Sequence, residues 1–249
     1  MAVDYAYDSK VADLFEKYEF GSLRKHIGDV KPSEPVEKPK LIFSESDAAA
    51  VCRAASETGG CAIIIEGEQP GIFPEIKKVT VAAHRGVDFI TACGTASDFK
   101  EILSDPDIVK YGYDLKLQRN ILSHNGFKLE GRLMDIELMH YLVNPEKGHK
   151  LELLARTYLG INLEECLPEQ KEEGGLSLFD DVTEAEEAES ARFPEAVATL
   201  MLGEKIGKEL EELELKVLYD TMEEPLLPVL SKMEMEGVKI DLAQLRRYS

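Results

Sequence analysis

The sequence is poor in positive charge and has no long apolar run, and each shortage argues against a class of protein. Lysine and arginine number 29 against 48 acidic residues, which leaves a formal net charge of −19. Because such a surface repels a polyanion, we do not expect a free-standing protein that binds duplex DNA through its phosphates. No run of about 18 apolar residues occurs and no basic-then-apolar segment opens the sequence, so we predict neither a membrane span nor a signal peptide and expect a cytoplasmic protein.

Cysteine and histidine are scarce as well, and neither residue type forms a metal-binding pattern. The cysteines lie at least nine residues apart without a Cys-x-x-Cys pair, and no His-x-x-x-His pair occurs. We therefore predict neither a zinc knuckle nor a disulfide framework, and we expect reduced, mostly buried thiols and histidines that lie on the surface or in ordinary packing. The residues concerned are Cys52, Cys61, Cys93, Cys166, His84, His124, His140 and His149.

The composition provides enough apolar material for a core and changes along the chain. Of 249 residues, 44% are hydrophobic and 31% are charged. Residues 1–28 predict a short helical attachment, and residues 29–40, with three prolines, predict an extended linker. We expect a compact domain at 41–222, interrupted at 161–190 by an exposed insertion with eleven acidic residues and one lysine. Residues 223–249 form a separate final piece.

The first part of the compact domain predicts one helix and three strands. Ser46 is the predicted N-cap of the helix. The run from Ala62 to Ile65 predicts a strand that is buried on both faces, because β-branched residues occupy both sides. Two further strands, Lys78 to His84 and Val87 to Cys93, are predicted to be joined by a short hairpin.

Helices dominate the second part of the domain. After a short strand at Ile108 to Tyr111, we predict helices from Leu115 to Ser123, from Ile136 to Leu142 and from Ala191 to Met222. A last helix is expected to end at Gly237 and to be followed by a short strand at Val238 to Ile240. Strands that come first and helices that come later, joined by crossovers, predict an α/β fold with a mixed sheet flanked by helices.

Two regions of the sequence resemble the family A bacterial DNA polymerases, the DNA polymerase I family. The segment GYDLKLQRNIL, residues 112–122, resembles the second exonuclease motif of the family. Glu-Pro-Leu at 224–226, Met-Glu-x-x-Gly-Val at 233–238 and Ile-Asp at 240–241 resemble the segment that leads from the exonuclease-like domain into the polymerase thumb. The resemblance covers most of residues 8–245 in the family's order and fails mainly in the acidic insertion.

The resemblance implies a fold, a parent protein and partners. It implies a ribonuclease H-like 3′-5′ exonuclease domain at 41–222, a helical tail that follows a 5′-nuclease region at 1–28, and the start of the polymerase thumb at 223–249. The chain is then expected to be a piece of a longer DNA-directed DNA polymerase, a nucleotidyltransferase of DNA replication and repair. The expected partners are the rest of the polymerase chain and, through it, DNA. The piece itself is expected to bind DNA weakly or not at all, and no membrane.

The family's exonuclease site also implies which residues to compare. It holds two divalent metal ions about 4 Å apart and needs four acids to offset their charge. The first two acids belong to an Asp-x-Glu on the first strand, where residues i and i+2 share a face. Either Glu66 and Glu68 or Ile64 and Glu66 fill this pair, and we favour the second register because the apolar run then ends where the family's strand ends. Glu66 is then a metal ligand or, as we favour, a solvent-facing carboxylate.

In the other two motifs the family's acids are replaced. Gln118 stands where the second motif has its aspartate. Asp114, one helical turn earlier, is either a metal ligand or, as we favour, the N-cap of the helix that follows. Phe193 and Val197 align with the tyrosine and the aspartate of the family's Tyr-x-x-x-Asp, and Glu195 is the nearby acid, about 200° around the helix from Val197.

These replacements predict a vestigial proofreading domain that is catalytically inactive and kept for its structure, with no cofactor and no bound metal. Two alternatives stay open. The first is an active metal-dependent 3′-5′ exonuclease in which Glu66, Glu68, Asp114 and Glu195 form a rearranged set that binds Mg²⁺, with Glu66 and Glu68 as the first ligands. The second is a module that docks a partner through the acidic insertion at 161–190.

Overall fold

A six-stranded mixed sheet organises the chain in the computed structural model, which describes residues 41–67, 74–163, 166, 192–241, 244 and 246–247. All of these residues lie in one compact unit that runs from Lys40 to Ser249. The predicted helical tail, the proline-rich linker and nearly all of the acidic insertion lie outside the described residues.

The sheet combines parallel and antiparallel neighbours. Its strands are β1 (Phe43–Glu45), β2 (Gly60–Gly67), β3 (Ile76–Arg85), β4 (Asp88–Gly94), β5 (Val109–Gly112) and β6 (Leu133–Asp135). They lie in the order β1-β4-β3-β2-β5-β6. Strand β3 runs antiparallel to β2 and β4, and the other neighbours are parallel. The predicted mixed sheet is therefore confirmed, with the unpredicted β1 at one edge.

Helices flank the sheet. They are α1 (Ala48–Thr58), α2 (Lys100–Ser104), α3 (Leu115–His124), α4 (Ile136–Val143), α5 (Leu151–Leu154), α6 (Phe193–Glu212), α7 (Lys216–Leu218) and α8 (Glu224–Glu236). Two π-helical segments, Ala155–Leu159 and Tyr219–Glu223, follow α5 and α7. The predicted third and fourth helices are confirmed, whereas the helix predicted at 191–222 is interrupted near Glu214, whose φ is 60°. No helix within the described residues combines the length and the apolar character that a membrane crossing requires.

Strand β2 is buried on both faces, as its β-branched sequence predicts. Ile63 and Ile65 pack in a core cluster with α1 and α3, whereas Ala62 and Ile64 pack in a second cluster with α6. Successive side chains of a strand point to opposite faces, so helices cover both sides of the sheet at this strand.

Two local predictions are wrong. Asp47, not Ser46, caps α1, because Asp47 Oδ1 accepts a hydrogen bond from Ala50 N at 2.6 Å. The strand predicted at Val238 to Ile240 does not form, and Val238 is 91% exposed. A short β-branched run needs a neighbouring strand for its backbone hydrogen bonds, and among the described strands none pairs with it.

Helix α8 packs against α3 through a polar network beside an apolar contact. Ser231 Oγ donates to Asn120 Oδ1 at 2.6 Å, and Asn120 Nδ2 donates to Glu234 Oε2 at 2.8 Å. Lys116 Nζ donates to the other Glu234 oxygen at 2.6 Å. Leu227 belongs to the same core cluster as α3 and is 2% exposed. Helix α8 is therefore anchored on the sheet domain.

The buried carboxylate of Asp135 links the ends of three elements. Its Oδ2 accepts a hydrogen bond from Leu115 N at 2.6 Å, and its Oδ1 accepts from Glu137 N at 3.0 Å and Leu138 N at 3.3 Å. One side chain at the end of β6 thus serves the first turns of both α3 and α4. Burial raises the pKa of Asp135 to about 6, although these backbone hydrogen bonds oppose the shift.

The hydroxyl of Tyr219 ties the π-helical segment before α8 to the same strand. It donates to Leu133 O at 2.8 Å and accepts from Asp135 N at 2.8 Å. Burial raises the pKa of Tyr219, so the hydroxyl keeps the proton that it donates.

Replacement of Leu227 tests the anchoring of α8. Leu227→Ala is expected to lower the free energy of unfolding by about 2–4 kcal/mol, because it leaves a cavity where α8 meets the core. Val229→Ala, on the exposed side of the same helix, is expected to change it by less than about 0.5 kcal/mol. Urea denaturation measures both values, and equally small losses would contradict the anchoring.

Replacement of Asp135 tests its buried charge. The folded pKa of about 6 lies above the ordinary value of 3.8, so the folded state binds the proton more tightly than the unfolded state. The resulting stabilisation is fully present below about pH 4 and is lost as the pH rises through 6. Relative to Asp135→Asn, the free energy of unfolding of the wild type should fall by about 1–3 kcal/mol between about pH 4 and pH 7. Denaturation at both pH values measures this fall, and a constant difference would contradict it.

Candidate functional site

The end of β2 and the first turns of α6 bring two predicted site positions into one buried cluster. Ile64 is 7% exposed and Val197 is fully buried, and both pack in an apolar cluster with Ala62 of β2 and Leu200 of α6. Neither side chain offers an oxygen, which is the ligand atom that Mg²⁺ requires. Where the motifs align two acids, the structure has a packed apolar core.

Glu66, on the same face of β2 as Ile64, lies beside an arginine. Arg192 directly precedes α6, and its Nε lies 3.9 Å from Glu66 Oε1. The same guanidinium holds Glu195 in the first turn of α6, with Nη2 donating to Oε1 at 2.8 Å and Nε donating to Oε2. Glu66, Arg192 and Glu195 are hereafter the arginine cluster. One guanidinium serves both of its carboxylates.

Burial and mutual charge set the pKa values in the arginine cluster. Burial raises the pKa of Glu66 and the charge of Glu195 adds to this shift, whereas Arg192, Lys78 and Lys77 oppose it. The hydrogen bonds to Glu195 raise the pKa of Arg192, and the charges of Glu195 and Glu66 add to this effect. The arginine is therefore firmly ionised and compensates acids within its own protein.

Phe193, at the position of the family's tyrosine, makes an apolar contact. Its ring centroid lies 6.1 Å from that of Phe43 in β1, with an interplanar angle of 56°. A phenyl ring has no hydroxyl that could orient a water molecule. The residue links the start of α6 to the sheet edge.

Gln118 is buried in α3, and the backbone uses its amide. Its Nε2 donates to Tyr113 O at 2.8 Å, and its Oε1 is buried without a hydrogen-bond partner. The side chain therefore presents one uncharged oxygen where the second motif of the family has a carboxylate.

Asp114 caps α3, as predicted. Its Oδ1 accepts a hydrogen bond from Leu117 N at 3.2 Å. The φ of Asp114 is 50°, in the left-handed region that aspartate tolerates better than most residues. The side chain is thus used by the first turn of the helix.

The predicted site residues fall into two groups. The first lies where β2 meets α6 and contains Ile64, Glu66, Phe193, Glu195 and Val197; the second lies at α3 and contains Asp114 and Gln118. Among the hydrogen bonds and ion pairs of the described residues, none joins the two groups. The same part of the chain contains no set of three His, Cys, Asp or Glu side chains that could hold a metal ion. Glu68 lies outside the described residues, so the register of the first-strand pair stays a prediction.

The sequence analysis missed Arg192 and Asp135. Arg192 gains its role only because α6 lies against β2, and no local pattern indicates that contact. For Asp135 a signal was present, since an aspartate directly before an apolar helical run is the usual N-cap pattern.

His140 and His149, expected to lie apart on the surface or in ordinary packing, contact each other. Their Nδ1 atoms lie 2.7 Å apart, and His140 is 2% exposed. The turn after Asn144-Pro145 reverses the chain and brings them together. Burial lowers the pKa of His140 to about 4, and the charges of His149 and Lys147 lower it further. At neutral pH the pair is an uncharged packing contact.

Known proteins match this chain in both sequence and fold. Residues 75–164 match the family described as DNA polymerase I, ribonuclease H-like domain. DNA polymerase I of Synechocystis sp. is 31% identical over 196 residues, which cover 76% of this chain and 18% of that protein. DNA polymerase I of Mycobacterium tuberculosis is 32% identical over 171 residues, which cover 67% of this chain and 19% of that protein. The chain thus spans less than a fifth of the length of these relatives.

Three solved structures illustrate the shared fold. The POL domain of Pol1 from M. smegmatis, in complex with DNA primer-template and dNTP, gives a TM-score of 0.60 at 21% identity and covers 82% of this chain and 34% of its own. Brucella melitensis NrnC bound to pGG gives 0.58 at 14% identity, over 82% and 98%. Escherichia coli RNase D, an exoribonuclease involved in structured RNA processing, gives 0.51 at 15% identity, over 81% and 52%.

At these identities the structural likeness concerns the fold alone, and it confirms the predicted ribonuclease H-like exonuclease architecture. The sequence matches add the family, because DNA polymerase I relatives from several bacteria align across the exonuclease region. This chain therefore carries the ribonuclease H-like, exonuclease-like domain of the DNA polymerase I family.

Proposed function

We propose that this domain no longer removes nucleotides and that it serves a DNA polymerase I as a structural part. The observation that supports the proposal best is the apolar cluster around Ile64 and Val197, at the positions that align with two of the family's acids. Both residues are buried, so no hydrated metal ion has room beside them.

The residues present do not fit a pair of Mg²⁺ ions. Two such ions need several carboxylates to offset about four positive charges. At this point the protein offers Glu66 and Glu195, which Arg192 already compensates, and Gln118 contributes no charge. Two divalent ions about 4 Å apart repel each other by about 4 kcal/mol even in water. Without further acids, that repulsion is not offset.

The structural role we propose lies within a longer polymerase chain. Helix α8 belongs to the segment that resembles the passage into the thumb, and it is fastened to α3 and to the core. The domain would then act as a firm base for the part that follows. DNA synthesis in cytoplasmic replication and repair, and binding of DNA, would belong to that longer chain. A surface with net charge −19 would not compete for the primer.

An exonuclease assay tests the proposed loss of activity. We expect that the chain, incubated with 3′-labelled single-stranded DNA and Mg²⁺ or Mn²⁺, releases no more label than it does in EDTA. Metal-dependent release that disappears in Glu66→Ala and persists in Glu57→Ala, an exposed glutamate of α1, would contradict the proposal and support the rearranged site.

Return of an acid to the first strand tests why the site was lost. Ile64→Asp is expected to lower the free energy of unfolding by at least about 3 kcal/mol, because a carboxylate without a partner replaces a buried apolar side chain. Ile42→Asp, at a position 72% exposed, is the matched control and should cost less than about 0.5 kcal/mol. Urea denaturation with and without Mg²⁺ measures both. Recovery of the Ile64→Asp variant in Mg²⁺ would show that the pocket still accepts the ion.

A further inference from the structure

Arg192 occupies the point of the fold where positive charge would otherwise have to come from a metal ion. Charged side chains of both signs face this point and balance in number: the acids Glu66, Glu152 and Glu195 and the bases Lys77, Lys78 and Arg192. Only the arginine bonds to Glu195 and also lies within ion-pair distance of Glu66.

We propose that Arg192 is the resident cation of this site, so that its guanidinium takes the place of a divalent ion between Glu66 and Glu195. The inference rests on the proposed function, since it explains how the remaining acids of the site are compensated without metal. It also assigns Arg192 a second effect, which is to keep divalent ions out.

The geometry suits this replacement. A guanidinium presents a planar fork of donors, and here two of its nitrogens bind the two oxygens of Glu195. The carboxylate of Glu195 is nearly buried, with its side chain 11% exposed, so its negative charge needs a close partner.

A plain helix-surface pair would not account for the contact with the sheet. Arg192 and Glu195 alone would form an ordinary pair three residues apart on one helix. Glu66, however, comes from β2, and its carboxylate lies 3.9 Å from the same Arg192 Nε. Arginine therefore joins two elements of the fold, as a shared metal ion would. Its removal leaves two neighbouring acids from different elements with a common deficit of positive charge.

Manganese dependence of thermal stability tests this assignment in the 249-residue chain. The variants are Arg192→Met, the triple variant Arg192→Met/Glu66→Gln/Glu195→Gln, and Arg53→Met, which removes an exposed arginine of α1. Each is melted in about 10 mM MnCl₂ and in NaCl of equal ionic strength. If Arg192→Met does not fold, Arg192→Gln, which keeps a donor for Glu195, replaces it.

We expect Mn²⁺ to raise the Tm of Arg192→Met by about 3–5 °C, as a site with a Kd of about 1 mM would do at this concentration. The wild type, Arg53→Met and the triple variant should shift by less than about 1 °C. A folded Arg192→Met protein that ignores Mn²⁺, beside a wild type that also ignores it, would overturn the role of Arg192 and leave the proposed function standing. A wild type that Mn²⁺ stabilises as strongly as the variant would overturn both.

Discussion

The buried apolar contact between the end of β2 and the first turns of α6 is the constraint on which the site depends. Ile64 and Val197 hold α6 against the sheet, and this placement puts Arg192 and Glu195 beside Glu66. The same volume cannot be both a dry core and a hydrated two-metal site. Stability and hydrolysis therefore exclude each other here. Once the apolar residues are in place, an internal cation is the consistent way to compensate the acids that remain.

Much of the fold could be predicted because its signals are local. The β-branched run of β2 and the capped helices α3 and α4 each follow from a few adjacent residues. Strand β1 could not be predicted in the same way, because its three residues become a strand only by pairing with β4, where Phe43 lies opposite Phe89. The run at Val238 shows the reverse case, since it has strand-forming residues without a partner strand.

The candidate site divides along the same line. The replacements at Gln118, Phe193 and Val197 follow from motif spacing, because each concerns a single position in the sequence. The arginine cluster and the contact between His140 and His149 depend on how distant segments meet, and charge or spacing along the chain carries no sign of either. The fold supplies that information, and with it the idea of an arginine in place of a metal ion.

Diffraction from crystals soaked in MnCl₂, recorded at the manganese absorption edge, tests the central claim most directly. The account predicts that the carboxylates of Glu66 and Glu195 contact Arg192 alone, with no anomalous peak within about 3 Å of either. Two peaks about 4 Å apart where β2 meets α6 would contradict it, because they would show that the domain still assembles a metal pair.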